Sequence, residues 1–235
     1  MRTLVCGDIH GARKALVQVL NRADYAPNED RIVFIGDVAD GWPEVAETFH
    51  DVCSMKNIIY IIGNHDWWLL DYFKRGAKPS IWTSQGGSAT LDSYKNSSNG
   101  LAGAHKRFLE EVAVYYYVDE ENRLYVHGGY APAWPIDQQD TYDLMWDRDL
   151  YFMAKHWAAT QDEDNHIATR YKEVFIGHTS TSRDSPGLKP VHASNVWNID
   201  QGGGWEGKLT LMDVDTKEYW QSDIVKELYP NAKGR

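Results

Sequence analysis

Ile32-Val33-Phe34-Ile35-Gly36-Asp37-Val38-Ala39-Asp40-Gly41 begins as a strand and ends as something else. Four apolar residues in a row fit a strand buried on both faces. A glycine and two acids directly behind them are poor core material, but they suit a place where backbone approaches a charged ligand and carboxylates point into a cleft. The same grammar occurs twice more nearby. Leu4-Val5-Cys6 runs into Gly7-Asp8-Ile9-His10-Gly11, and Ile58-Ile59-Tyr60-Ile61-Ile62 runs into Gly63-Asn64-His65-Asp66. Between these strands, Leu16, Val19 and Leu20 recur at helical spacing, and Pro43 opens a second helix with Val45, Phe49, Val52 and Cys53 on one face. A third helix is expected from about Trp67 to Lys74. Strand, helix, strand, helix, strand with continuous apolar strands predicts an α/β chain with a parallel sheet covered on both faces. In such sheets ligands bind beyond the carboxyl ends of the strands, where all three motifs fall.

Downstream, the Gly-, Ser- and Asn-rich stretch from Gly76 to Gly103 reads as loops with one or two short helices, and Ala104 to Val112 as a helix. Val114–Val118 and Leu124–His127 flank hairpin punctuation, and the second strand ends in His127-Gly128-Gly129. The acidic, aromatic stretch of about 137–170 is expected to form a small helical cap inserted in a single domain spanning 1–235, with Asp162-Glu163-Asp164 on a solvated face. Val174-Phe175-Ile176 runs into Gly177-His178-Thr179, and Asn195 to Ser222 alternates in strand fashion. The segment from Pro230 to Arg235 is expected to fray. Gly202-Gly203-Gly204 lacks the lysine and serine of a P-loop and reads as a turn, and no Gly-x-Ser-x-Gly of a serine hydrolase occurs.

A formal net charge of -10 over 235 residues argues against nucleic-acid binding or an anionic membrane surface. It is awkward for a phosphate-processing site too, unless bound cations reverse the local field. Cys6 and Cys53 read as small buried apolar residues, not a disulfide framework. No apolar run approaches a membrane span, and the N-terminus runs straight into the first strand, so no signal peptide and a cytoplasmic location are expected.

Five apolar strands thus end in glycine beside Asp, Asn or His. Carboxylates, an amide oxygen and imidazoles favour divalent ions such as Mn, Fe or Zn over a thiolate site. Asp8 and His10 lie two apart on an extended segment and project to one side, so both reach one ion. Asn64, His127 and His178 arrive from three other strand ends and complete a second ion. Asp37, in the middle, bridges the two. Ions sharing a bridge sit about 3.5–4 Å apart and lower the pKa of a bound water to about 7.

These five motifs, in this order, resemble those of calcineurin-like metallophosphoesterases, with spacing close to the bacterial and phage serine/threonine phosphatases of the lambda phosphatase type. The resemblance covers Gly7 to Thr179 and implies a four-layer αββα sandwich of two mixed sheets. It implies Asp8, His10 and Asp37 on one metal and Asp37, Asn64, His127 and His178 on the other, with Mn the expected ion. His65 would be free of metal and would protonate the leaving oxygen, while Asp40 would fix its tautomer and favour its protonated form. Metal-bound hydroxide would attack phosphorus in line. Many members carry an arginine after the second acid of the middle motif, whereas this chain reads Asp40-Gly41-Trp42. Trp146-Asp147-Arg148-Asp149 resembles a Trp-x-Arg element of the lambda-type enzymes, so Arg148, with Asn64, is expected to hold the phosphate. Arg13 and Arg75 are weaker substitutes. His192 is a candidate partner behind the ligands, and Trp67, Trp68, Trp82, Trp134 and Trp205 are candidates for a cleft rim.

The implied activity is a dinuclear phosphomonoesterase acting on phosphoserine, phosphothreonine and aryl phosphates, with phosphotyrosine a further candidate, and with a phosphoprotein or small phosphoester as substrate. The alternatives are a hydrolase of dinucleoside polyphosphates or cyclic nucleotides, and a non-catalytic metal-binding scaffold. The complete ligand set with His65 speaks against the scaffold.

Overall fold

Leu4, Val5 and Cys6 of β1 (Arg2–Cys6) pair in parallel with Ile32, Val33 and Phe34 of β2 (Asp30–Phe34), which in turn pairs with β3 (Ile58–Tyr60). The computed structural model describes residues 1–98, 100–160, 170–183, 185 and 187–235. The three parallel strands are not the whole sheet. β9 (Thr210–Asp213) runs antiparallel beside β1, and β10 (Tyr219–Gln221) antiparallel beside β9, giving the order β10-β9-β1-β2-β3. The expected parallel strands are thus the core of a mixed sheet, as the family resemblance implied. Its extra strands come from the far end of the chain, where short alternating runs carry no local mark of their partner.

A second mixed sheet has the order β4-β5-β6-β8-β7. β4 (Tyr116–Val118) and β5 (Arg123–Val126) form the expected hairpin; β6 (Glu173–Ile176) and β8 (Val196–Asn198) continue in parallel, and β7 (Val191–Ala193) closes the edge antiparallel. Alternation along each strand tells which face packs on what. Val5, Val33, Ile35, Tyr125, Phe175 and Ile199 join one apolar cluster, so the two sheets pack face to face. Tyr125 stacks on Phe175 with ring centroids 5.1 Å apart in that layer. The intervening residues Leu4, Cys6, Ile32 and Phe34 face Leu16, Val19, Phe49 and Val52 of α1 (Arg13–Arg22) and α2 (Val45–Ser54). Leu124, Val126, Val174 and Ile176 face Leu144, Leu150, Tyr151 and Ala154 of α7 (Thr141–Trp146) and α8 (Asp149–Ala159). Helices, sheet, sheet, helices: this is the four-layer αββα sandwich. Each fully buried side chain of this kind contributes about 1.5–3 kcal/mol by leaving water.

Three local expectations change. α3 covers Asn64–Arg75 and so starts three residues early, with Asn64, His65 and Asp66 in its first turn. The Gly63 amide donates to the Asp66 carboxylate at 3.1 Å, closing one side of a capping box. The stretch read as loops with one or two short helices holds two, a single turn α4 (Ser80–Trp82) and α5 (Ser88–Asn96), separated by a kink where Gly86 takes φ +100, and α6 (Leu101–Glu111) starts three residues before the expected Ala104. The segment after α9 (Val225–Leu228) does not fray. Its Ala232 packs on the main core and the Arg235 amide donates to the Gly204 carbonyl at 2.8 Å. The acidic run 162–164 lies outside the described residues. Among those described, no helix is long and apolar enough to cross a membrane.

Candidate active site

Asp8 and His10 follow β1, Asp37 follows β2, Asn64 follows β3, His127 follows β5 and His178 follows β6, so the carboxyl ends of five strands meet at one spot. Asp8, His10 and Asp37 offer ligand atoms within 4.8 Å of one another, and so do Asp37, His127 and His178. Asp37 belongs to both groups. All are buried, as is Asn64, whose Oδ1 lies 3.1 Å from His127 Nε2.

The backbone is bent to achieve this. His10, Asp37, Asp40 and His178 all adopt positive φ, between 50° and 70°, where side chains are rarely found. Such conformations concentrate where a site needs them. Glycines beside the ligands permit the approach: a Cβ at Gly63 would lie 2.1 Å from Asp37 Oδ1, and one at Gly177 would lie 2.2 Å from Asp8 Oδ1. The loop is held from behind by Asp66. Its carboxylate accepts from the amides of Asp37, Val38 and Ala39 at 2.8–3.0 Å, from Gly63, and from the Tyr60 hydroxyl at 2.9 Å.

Two of the imidazoles are aimed by the nitrogen that faces away from the cluster. His10 Nδ1 donates to the Ala39 carbonyl at 2.9 Å, and His127 Nδ1 to the Ile35 carbonyl at 2.7 Å, so each Nε2 faces the acids. A backbone carbonyl behind a histidine is the usual arrangement of a metal ligand. Burial, then Arg235, lowers the pKa of His10, and burial, then His127, lowers that of His178. Both are thereby kept in the neutral form that binds metal. Burial raises Asp8, and Asp200 raises it further. Burial opposes charge on Asp37 and His127 as well, but their mutual attraction wins: Asp37 is held well below the usual carboxylate range and His127 is lifted to about 9.

The donor set fits divalent cations. Asp8 Oδ1, Asp37 Oδ2 and both ring nitrogens of His178 are buried with no hydrogen-bond partner. Buried acceptors without partners are costly, and here they point at one another's neighbourhood. Divalent ions would satisfy them.

His65 projects beside this cluster, its ring edge-on to His10 at 5.0 Å and to Trp68 at 5.0 Å. Its Nδ1 lies 2.6 Å from Asp40 Oδ2. Asp40 is fixed by Trp82 Nε1 at 2.8 Å and Thr90 Oγ1 at 2.5 Å, from the two short helices α4 and α5. Trp82 was expected only as a rim residue, and Thr90 not at all. Burial pushes His65 down to about 3 and raises Asp40, so it opposes the charged His65 that the neighbouring carboxylate is expected to favour.

Arg148 reaches the rim and donates to the His178 carbonyl at 3.2 Å and Thr179 Oγ1 at 3.0 Å. Arg13 instead pairs with Asp51 and Arg75 with Asp71, so neither enters the site. His192 stacks on Trp197 at 4.2 Å on β7, away from the cluster. Trp68 packs edge-on to Trp146, whose ring meets His178, so these two wall the cleft. Trp82 is buried, whereas Trp134 and Trp205 are exposed.

The model of the calcineurin-like phosphoesterase family matches residues 1–200. Among curated relatives, a symmetrical bis(5'-nucleosyl)-tetraphosphatase of Marinomonas sp. is 28% identical over 149 residues, covering 60% of this chain and 49% of its own. The chain thus spans about half the length of that relative. Another symmetrical bis(5'-nucleosyl)-tetraphosphatase, from Pseudomonas fluorescens, is 23% identical over 97% of this chain and 96% of its own. A solved structure provisionally described as a diadenosine tetraphosphatase superposes with a TM-score of 0.69 at 17% identity, covering 94% of this chain and 92% of that one. These relatives overturn the phosphoserine/phosphothreonine phosphatase reading, which followed the lambda-type spacing of motifs that both kinds of enzyme share. The metal-ligand pattern, the sandwich around it and the match over 200 residues agree: this chain belongs to the calcineurin-like phosphoesterase family.

Proposed function

We propose that the chain hydrolyses dinucleoside polyphosphates, with a dinucleoside tetraphosphate as the substrate class. The observation that carries the hydrolytic reading is the shared position of Asp37 in two buried ligand groups. The names of the curated relatives support the substrate. Asp8, His10 and Asp37 would hold one divalent ion and Asp37, Asn64, His127 and His178 a second, with Mn the proposed metal. Ions held so supply Lewis acidity toward a phosphoryl oxygen and an activated water.

The chain's own residues do the rest. Asn64 and Arg148 orient the phosphoryl group; a guanidinium offers paired donors at its oxygens. With one proton shared between Asp40 and His65 Nδ1, the outward Nε2 carries a hydrogen and donates it to the leaving oxygen. The shared proton then moves fully to Nδ1, and Asp40 becomes a carboxylate held by Trp82 and Thr90. Trp68 and Trp146 exclude water from this side of the cleft.

The test offers Mn-loaded protein diadenosine tetraphosphate, a cyclic nucleotide, an aryl phosphate and a phosphoserine peptide. The tetraphosphate is expected to have the highest kcat/KM, and its products (two ADP, or ATP with AMP) report which anhydride is cut. No hydrolysis of the tetraphosphate, or a preference for the peptide, would overturn the proposal.

A further inference from the structure

We propose that Arg235 is a second phosphate-binding residue of this site, taking the place of the arginine absent after Asp40. The inference rests on the phosphate-hydrolysing reading above only for the nature of the anion. Asp40 is followed by Gly41-Trp42, so the loop carries no arginine where the family resemblance led to the expectation of one. Trp42 is buried, donates from Nε1 to the Gly203 carbonyl at 2.7 Å, and stacks on Tyr229 at 5.3 Å. The segment that follows Tyr229 crosses this ring, and a Cβ at Gly234 would lie 3.0 Å from it. That path ends with Arg235 inside the cluster. Its Nη1 lies 3.0 Å from His10 Nε2 and 4.0 Å from Asp37 Oδ2, and its guanidinium lies over the Trp205 ring at 5.3 Å. The side chain is 12% exposed, and its Nε is buried with no partner.

A largely enclosed guanidinium whose Nε is buried without a partner needs an acceptor that the protein does not supply. The acceptor it touches, His10 Nε2, is the lone pair a metal ion requires, and two cations cannot use it together. With a divalent ion on His10, Arg235 must turn off that nitrogen. Its amide remains tied to Gly204 and its plane to Trp205, so it stays within side-chain reach of the cluster. The anion available there is the phosphoryl group. Arg148 enters on the side of His178 and Arg235 on the side of His10, so a phosphate lying over both ligand groups meets a guanidinium at each end.

The test is calorimetry on Arg235→Ala and Arg235→Lys. Mn affinity is measured on chelator-treated protein and inorganic phosphate affinity on Mn-loaded protein, with circular dichroism confirming the fold. The alanine variant is expected to bind phosphate roughly tenfold to a hundredfold more weakly, with lysine recovering part of the loss. Mn affinity should be unchanged or tighter, because a competitor for His10 is gone. Phosphate affinity within about twofold of the parent would overturn the proposal. So would a matching loss of Mn affinity, which would make Arg235 a support for the ligands. Because phosphate itself is the probe, a parent protein that binds phosphate but ignores the tetraphosphate would sink the substrate reading and leave this one standing.

Discussion

Replacing Asp66 by Asn tests whether the strained loop that carries Asp37 is held from behind. The side chain keeps its volume and loses one acceptor. Oδ1 now receives the Val38 and Ala39 amides, and Oδ2 the Asp37 and Gly63 amides and the Tyr60 hydroxyl. Whichever oxygen becomes an NH2 then faces two or three buried donors. Each unmet buried donor costs about 1–3 kcal/mol, and allowing for non-additivity the loss should be about 3–5 kcal/mol. At this chain length that is a fall in Tm of roughly 6–20 °C. Measurement at pH 8 keeps the parent carboxyl ionised, since burial and Asp37 lift it to about 7. Chemical denaturation gives the stability and calorimetry the Mn affinity, which should fall because Asp37 no longer has its φ of 52° enforced. A variant within about 1 kcal/mol of the parent, binding Mn equally well, would refute the reasoning.

Further outcomes follow from the same geometry. His65→Asn should retain Mn while kcat falls about 10²–10⁴-fold, with the greater loss on alkyl phosphate esters, whose leaving oxygens need the proton most; equal losses on alkyl esters and anhydrides would remove His65 as the acid. Trp82→Phe deletes a donor to Asp40 and should cost about 1–3 kcal/mol of stability together with kcat, with KM for the tetraphosphate unchanged; a change in KM alone would contradict it. Adding Mn at about a hundred times its Kd should stabilise the chelated protein by about 2.7 kcal/mol, raising Tm by roughly 5–11 °C, and a flat titration would speak against a built site. His192→Ala should leave kcat/KM as it is, since its ring packs on Trp197.

The ligand set was legible because each member sits beside a glycine that close approach demands, Gly63 against Asp37 and Gly177 against Asp8 being the tightest cases. Strand order in the first half was legible too, from apolar runs separated by amphipathic helices. The support behind the ligands was not. Trp82 and Thr90 stand in a stretch read as loops with one or two short helices, and only the tertiary fold brings them to Asp40. Asp66 was visible as a motif residue, but its five donors come from three separate places in the chain. Arg235 was hidden for a similar reason: a short polar segment has no periodicity, and its anchor is the Trp42 ring rather than a helix or strand. Substrate class lay furthest from the sequence, because the motifs encode the metal cluster and leave the groups around it open.

The central claim is that Asp37 is shared by two ions. Diffraction at the manganese absorption edge from Mn-soaked crystals tests it most directly. Two anomalous peaks are expected about 3.5–4 Å apart, one beside Asp8 and His10, the other beside Asn64, His127 and His178, with an Asp37 oxygen between them. A single peak, or two that Asp37 does not touch, would contradict it.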